Sequence, residues 1–307
     1  MQGVLEGFGT IAIVIAVGFV LAQVNVLGAD SQVLLSRLAF FVASPALMVT
    51  VVGSSDVSEV LSKGLAATAA GAVVTGTIYV LLARLRWRKD VGDTVIGARS
   101  ACYVNSANLG IPIAAYVLGN AALVAPILLL QLLVMQPLAL AFLDMTVPGK
   151  QFSLVRSLAS PLTNPLTLGS LVGVLLALTH ATLPLTINEP LVLLGNMAVP
   201  GMLLAYGVSL RFGPLPGTGI NATEVAAISA LKMVVYPAAV YVVARYLLGV
   251  HGDALFAATV LGALPTAQNI FVHATRYQHA IVVARDAIFV TTIASVPAMF
   301  VITALLS

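Results

Sequence analysis

Residues 103–112 read YVNSANLGIP, and residues 262–269 read GALPTAQN. Both stretches are polar and proline-containing, although each lies in the middle of a long apolar segment. Pro112 and Pro265 each remove a backbone donor, and Gly110 weakens the first segment further. In hydrocarbon, broken backbone survives only where it is buried in protein or lines a cavity. The two stretches therefore predict two interrupted membrane helices, and the rest of the chain is interpreted around them.

The composition around these stretches is that of a membrane protein. Of the 307 residues, 60% are hydrophobic and 8% are charged, whereas a soluble domain carries about 25% charged residues. This composition excludes an ordinary soluble enzyme, a nucleic-acid binder and a disordered chain. The lipid bilayer is an expected partner and nucleic acid is not, since the net charge is only +3.

Ten segments are long and apolar enough to cross a bilayer as helices, at about 20 residues per span. They are 7–26, 32–53, 62–83, 95–118, 121–144, 160–180, 188–210, 223–247, 253–276 and 281–305. No segment alternates apolar and polar residues as a membrane strand would. The expected fold is therefore an all-α polytopic membrane protein with ten transmembrane helices. The first residues lack a basic region, so no cleavable signal peptide is expected.

Lysine and arginine are distributed unequally over the connections, which predicts the orientation. The loops after odd-numbered helices contain nine of them, and the even loops and termini contain two, Lys63 and Arg245. The nine are Arg37, Arg84, Arg86, Arg88, Lys89, Lys150, Arg156, Arg211 and Arg276. We therefore expect a multi-pass protein of the inner (plasma) membrane, with the odd-numbered loops cytoplasmic and both termini outside.

Three pairs of prolines recur in the same order with nearly equal separations. They are Pro45 with Pro200, Pro112 with Pro265, and Pro137 with Pro297. This pattern predicts two repeats of five helices, residues 1–145 and 160–307, joined by a short cytoplasmic linker at 146–159. Because five is odd, the second repeat is inverted in the membrane, an arrangement typical of secondary transporters.

Binding chemistry is expected at the two interruptions. Half-helix N-termini present unpaired N–H groups and partial positive charge, which suit an anion. Amides, one hydroxyl and one deep lysine complete the candidate substrate-binding set: Asn105, Ser106, Asn108, Gln131, Gln268, Asn269 and Lys232. Gly110, Pro112 and Pro265 are the candidate helix-breaking residues. Alternatively, the amides only join neighbouring helices, and Lys232 is a structural pair or a snorkelling side chain.

Acidic residues are absent from both interrupted stretches. A cation exchanger of this architecture needs buried carboxylates, so the pattern disfavours cation exchange. Asp286 neighbours Arg285, which suggests a pair, and His273 is a candidate protonatable gate. The histidines and the single cysteine show no metal-ligand spacing, so no metal or other cofactor is expected. A coupling ion, H⁺ or Na⁺, stays open, and no motif for ATP-driven pumping is present.

The same segments resemble those of the auxin efflux carrier family. They are NSANLGIP (105–112), LQLLVMQ (130–136), KMVVYP (232–237), ALPTAQNIFVHATRY (263–277), and Arg37 with Pro45. The resemblance covers essentially the whole chain. It implies a scaffold domain of helices 1, 2, 6 and 7, a transport domain of helices 3–5 and 8–10, a homodimer, and elevator-type alternating access. The family moves organic anions, namely auxin in plants and dicarboxylates in bacteria, and the short central connection resembles a prokaryotic member.

We therefore expect a secondary active transporter of small organic anions and not an enzyme. One alternative is a sodium-coupled symporter of the bile acid carrier type, whose sites rely on acidic and hydroxyl ligands. A less favoured alternative is a polytopic membrane enzyme, which would need clustered His, Asp or Glu at one membrane face. The pattern does not name the anion, the coupling ion or the direction of transport.

Overall fold

A computed structural model describes residues 2–54, 63–146, 165–212 and 222–306. Within these ranges the chain is helical apart from connecting turns and one isolated β-bridge. The helices are α1 (Gln2–Gln23), α2 (Ala29–Gly53), α3 (Lys63–Arg86), α4 (Val91–Cys102), α5 (Ile111–Tyr116), α6 (Ala121–Asp144), α7 (Pro165–Thr179), α8 (Leu185–Phe212), α9 (Ala222–Leu247), α10 (Gly252–Gly262), α11 (Asn269–Tyr277) and α12 (Ile281–Leu306). Except for Thr146, the predicted linker at 146–159 lies outside the described residues.

Six of these helices are long and apolar enough to cross a membrane. They are α2, α3, α6, α8, α9 and α12, with 24 to 28 residues each. Large apolar side chains stand exposed on them, among them Leu34, Leu193 and Leu305, as expected for surfaces that face lipid. The chain is therefore an all-α polytopic membrane protein.

The two polar stretches interrupt helices, and the first gap lies at the start of the predicted stretch 103–112. α4 ends at Cys102, and a π-helical turn, Ser106–Gly110, leads directly into α5. Residues 103–105 form the gap, so Gly110 and Pro112 follow it. Pro112 is the second residue of α5 and follows the π-helical turn. Pro265, in contrast, lies inside the second gap, between α10 and α11.

Four π-helical turns occur in the described part of the chain immediately before an X-Pro pair. They are Ala39–Ala43, Ser106–Gly110, Gln131–Met135 and Leu231–Val235, followed by Pro45, Pro112, Pro137 and Pro237. A proline cannot donate to the carbonyl four residues back, and its ring collides with that carbonyl. In the turn before Pro237, the N–H of Tyr236 donates to the carbonyl of Leu231, five residues back. The wider turn thus accommodates the proline without ending the helix.

The contacts divide the chain into two compact units. The first contains residues 1–62, 107–129 and 161–214, and the second contains residues 63–106, 130–160 and 215–307. Six predicted binding residues belong to the second unit: Asn105, Ser106, Gln131, Gln268, Asn269 and Lys232. The seventh, Asn108, belongs to the first unit, as do Gly110 and Pro112.

In the first unit, glycines bring helix backbones close together. A Cβ atom on Gly207 of α8 would lie 2.1 Å from the carbonyl oxygen of Ile15 in α1. A Cβ on Gly18 of α1 would lie 2.5 Å from the carbonyl oxygen of Leu204 in α8. Small residues allow this close approach, which is a main source of helix association in membranes.

In the second unit, a buried carboxylate joins α9 to α3 and to the connection that follows it. Glu224, 4% exposed, accepts a hydrogen bond from the Tyr79 hydroxyl at 2.7 Å. Its other oxygen lies 2.8 Å from the Lys89 ammonium. Because each oxygen has its own donor, the charge of Glu224 is compensated within the unit.

The connections after predicted helices 3, 5 and 9 and the start of α9 meet at one end of the second unit. Four contacts join them: Lys89–Glu224 at 2.8 Å, Asp93 Oδ1–Ala280 N at 2.9 Å, Asp144–Tyr277 at 2.7 Å and Thr146–His279 at 3.1 Å. These are the connections in which the basic residues concentrate.

Candidate substrate-binding site

The two gaps are paired with each other. Residues Val104 and Thr266 form an antiparallel bridge. The N–H of Asn105 donates to the Pro265 carbonyl at 2.8 Å, and the N–H of Ala267 donates to the Tyr103 carbonyl at 3.2 Å. The extended segments therefore satisfy part of the backbone that each helix leaves unpaired, as burial in a membrane requires.

Side chains satisfy further polar groups at the gaps. The Gln131 Nε2 group donates to the Val104 carbonyl at 2.9 Å, and its Oε1 accepts from the Ser106 hydroxyl. The Thr266 N–H donates to the Thr291 hydroxyl oxygen at 3.1 Å. The Thr266 hydroxyl donates to the Ser100 carbonyl at 2.6 Å. This network, all of it buried, fixes the gap geometry.

Two predicted site residues, Ser106 and Gln131, are thus engaged with each other and with the backbone at the gap. Thr266 and Thr291 complete the same network, and the sequence did not single them out. Thr266 lies within the quoted stretch 262–269, so its position was available. Thr291 lies 25 residues further along and shares its helix with several other hydroxyl residues. Only the tertiary packing shows its role.

Replacing Gln131 with leucine is expected to destabilise the second unit. The change leaves the buried Val104 carbonyl and the Ser106 hydroxyl without this partner, a loss worth about 1–3 kcal/mol. Thermal unfolding of the purified protein in detergent measures the effect. Gln136→Leu is the matched control, because Gln136 is in the same helix and only half-buried. Equal unfolding temperatures for the two variants would contradict the assigned role of Gln131.

Lys232 is the most completely buried of the predicted binding residues. It lies in the π-helical turn of α9 and is completely buried, so its ammonium does not reach the surface. The Nζ atom lies 3.4 Å from the Gly262 carbonyl and 3.9 Å from the centre of the Tyr236 ring. The Gly262 carbonyl ends α10, where the helix dipole is negative. Among the described residues, no carboxylate lies within 4.0 Å of Nζ.

The amides differ in their environments. The Asn105 Nδ2 atom and the Asn269 Oδ1 atom are buried, and neither has a hydrogen-bond partner in the described structure. Gln268 and Asn108 each take part in an interaction. Buried amide atoms without partners cost about 1–3 kcal/mol each. Asn105 and Asn269 are therefore the amides whose spare donor and acceptor are available to a ligand.

Three acidic side chains of the second unit pair with residues outside the two gaps. Asp286 lies 2.7 Å from Arg285 Nη2, which agrees with the pairing suggested by their adjacency in sequence. Glu224 pairs with Lys89, and Asp144 accepts from Tyr277. The buried Lys232 ammonium, beside the second gap, therefore has no carboxylate partner among the described residues.

His279 approaches two carboxylates, a grouping that sequence spacing did not show. Its side chain lies with those of Asp90 and Asp93, with all candidate ligand atoms within 4.8 Å of one another. Both carboxylates already accept backbone hydrogen bonds: Asp90 from the N–H of Asp93 at 2.7 Å, and Asp93 from the N–H of Ala280 at 2.9 Å. The grouping therefore connects the start of α4 to the loop before α12.

Comparisons with known proteins extend along almost the whole chain. A family model described as "Membrane transport protein" matches residues 4–303. An "Uncharacterized transporter" of Methanothermobacter thermautotrophicus is 27% identical over 299 residues, covering 96% of this chain and 95% of that protein. A "Putative malonate transporter" of Rhizobium meliloti is 28% identical over 271 residues, covering 85% and 83%. The similarity therefore concerns the whole architecture and not one segment.

Proposed function

Because the chain belongs to the membrane transport protein family, the auxin efflux carrier family that its motifs resemble, we propose that it is a secondary active transporter of small organic anions. The single observation that supports an anion as cargo is the environment of Lys232. Its ammonium is completely buried next to the second gap and has no carboxylate partner among the described residues.

An unpaired buried cation is costly, since the effective desolvation penalty is several kcal/mol per ion. The Gly262 carbonyl and the Tyr236 ring offset only part of this cost. A bound carboxylate supplies the missing negative charge. The unpaired Asn105 donor offers it a further hydrogen bond.

Small carboxylates are the proposed substrates. The relative from Rhizobium meliloti is named for transport of malonate, a dicarboxylate. We extend dicarboxylates as a substrate class to this chain. Auxin-like monocarboxylates are the alternative within the same proposal. Sodium symport of the bile acid carrier type has less support, because the acidic side chains of the second unit described above pair away from the gaps.

The proposed mechanism is alternating access of elevator type. Ten helices in two inverted repeats, 1–145 and 160–307, form a scaffold domain and a transport domain, and the protein acts as a homodimer. Six proposed site residues move with the transport domain: Asn105, Ser106, Gln131, Gln268, Asn269 and Lys232. Asn108 is the seventh proposed site residue. The coupling ion, H⁺ or Na⁺, stays open.

In the proposed orientation the protein lies in the inner membrane, and its odd-numbered loops face the cytoplasm. The excess of lysine and arginine in these loops supports it. The contacts that join the connections after predicted helices 3, 5 and 9 to one another and to the start of α9 support a common side for them.

Uptake into proteoliposomes tests the proposal. We expect saturable uptake of radiolabelled malonate that unlabelled dicarboxylates inhibit and the neutral diamide malonamide does not. Imposed pH and sodium gradients, applied separately, identify the coupling ion. Asn105→Ala is expected to raise the half-saturating concentration about 10-fold or more, because it removes the Nδ2 donor that is free to bind the carboxylate. If no member of a panel of mono- and dicarboxylates enters faster than into protein-free liposomes, the proposal is wrong.

A further inference from the structure

A second buried cation lies beside the first gap, and it is absent from the predicted site. Arg99 is in the last turn of α4 and is 4% exposed. Its Nη1 atom lies 2.5 Å from Nδ1 of His273. Its Nε and Nη2 atoms are buried without a hydrogen-bond partner, and no carboxylate among the described residues lies within 4.0 Å of it.

The neighbours of Arg99 do not balance its charge. The guanidinium only donates, so His273 accepts through Nδ1 and is neutral in this contact. The guanidinium carbon lies 4.6 Å from the centre of the Tyr103 ring. That contact gives a weak attraction and leaves the positive charge unbalanced. Arginine stays protonated in proteins, so the side chain keeps its positive charge.

The unsatisfied groups around Arg99 lie close together. Tyr103, which stacks with Arg99, belongs to the first gap, and its hydroxyl interacts with the Asn269 side chain. Asn269 begins α11 at the end of the second gap. Both Arg99 and Lys232 also act electrostatically on Cys102, the last residue of α4. Cys102 is three residues from Arg99 and hence on the same helix face.

We propose that Arg99 is a second carboxylate-binding group, so that the transported anion carries two acid groups, one facing Arg99 and one facing Lys232. The proposal rests on the proposed function, since it assigns a further part of the same site. A guanidinium with two free N–H directions matches the two oxygens of a carboxylate. A purely structural arginine that joins α4 to α11 through His273 would not need the two unpaired donors, Nε and Nη2.

The test compares malonate with malonamate, in which one carboxylate is a carboxamide. Equilibrium binding is measured on the purified full chain in lipid nanodiscs. Wild type is expected to bind malonate at least 10-fold more tightly than malonamate. Arg99→Gln is expected to bring the ratio of the two affinities to within about twofold of one. Arg99→Lys is expected to give an intermediate ratio, because lysine keeps the positive charge but lacks the planar guanidinium that binds both carboxylate oxygens. Arg285→Gln is the matched control, since Arg285 already pairs with Asp286, and its ratio stays at the wild-type value.

Each other outcome overturns the proposal. If Arg99→Gln weakens both ligands by the same factor, Arg99 is structural. If wild type binds the two ligands equally, the site takes a single carboxylate, and the proposed function stands without this inference. If wild type binds neither ligand nor any monocarboxylate, the proposed function fails as well.

A measurement on wild type covers the case in which neither Arg99 variant folds. Phenylglyoxal modification of Arg99, quantified by mass spectrometry, is expected to slow at least fivefold in the presence of malonate and to be unaffected by malonamide. Modification of Arg99 at the same rate with and without saturating malonate overturns the proposal.

Discussion

Lys232→Met is expected to weaken malonate binding 10- to 150-fold and at the same time to raise the thermal unfolding temperature. The two effects have opposite signs because the buried ammonium stabilises the complex with the ligand but destabilises the fold of the ligand-free protein. Losing a charged hydrogen bond to the ligand costs about 1.5–3 kcal/mol, which corresponds to a 10- to 150-fold weaker complex.

The stability gain follows from the burial of Lys232. Its side chain is completely buried, and no described carboxylate compensates it. Replacing buried ionic groups with apolar residues of similar volume is often neutral or stabilising by about 1–4 kcal/mol. Methionine is unbranched and flexible like lysine, so it fills the same space without the charge.

Lys63→Met is the matched control for this prediction. Lys63 is exposed at the start of α3, so its replacement is expected to change neither binding nor the unfolding temperature measurably. If Lys232→Met lowers the unfolding temperature, the lysine is a structural group and its assignment to the ligand is wrong.

Gly207→Ala is expected to destabilise the first unit by about 1–3 kcal/mol or more, the usual cost of overpacking. The added methyl would lie 2.1 Å from the Ile15 carbonyl oxygen and 2.8 Å from the Phe19 backbone nitrogen. Both neighbours are backbone atoms, so they cannot rotate away as a side chain could. The helices α1 and α8 must separate, and the contacts around Gly18 are lost with them.

Gly201→Ala, in the same helix, is the control for Gly207→Ala. A Cβ at Gly201 would meet only the Ala39 methyl, at 3.8 Å, which is ordinary contact. Alanine also favours a helix by about 1 kcal/mol over glycine, so this variant is expected to unfold at the same or a higher temperature. The measurement is thermal unfolding in detergent, and equal destabilisation by both changes would show that helix packing at Gly207 is not the cause.

Much of the helical architecture follows from local sequence. The apolar runs at 32–53, 62–83, 121–144 and 281–305 agree with α2, α3, α6 and α12 to within a few residues. These helices were predictable because burial in lipid demands about 20 apolar residues in succession. The proline positions also carry local information, since π-helical turns precede four of them.

The position of the first gap was not predictable in the same way. Pro112 suggests a break near itself, but the chain leaves the helix at residues 103–105 because these residues pair with 265–267. That pairing joins residues about 160 positions apart, and nothing in the local pattern encodes it. The ends of the gap are set by tertiary hydrogen bonds and not by the proline.

Arg99 shows a second limit of the sequence. In the sequence it is one basic residue within a predicted helix, and the polar stretch that attracted attention starts four residues later. Its burial, its free donors and the lack of a carboxylate partner are visible only in the folded chain. One signal was available: a charge inside a membrane helix is costly and usually functional.

Equilibrium binding of malonate and of its neutral diamide, malonamide, to the purified wild-type chain tests whether the site selects anions. The claim is that buried cations without acidic partners, beside two paired helix gaps, make a site for anions. The account predicts saturable binding of malonate and, for malonamide, an affinity at least 10-fold lower. Equal affinities for the two ligands, or binding of malonamide alone, would contradict it.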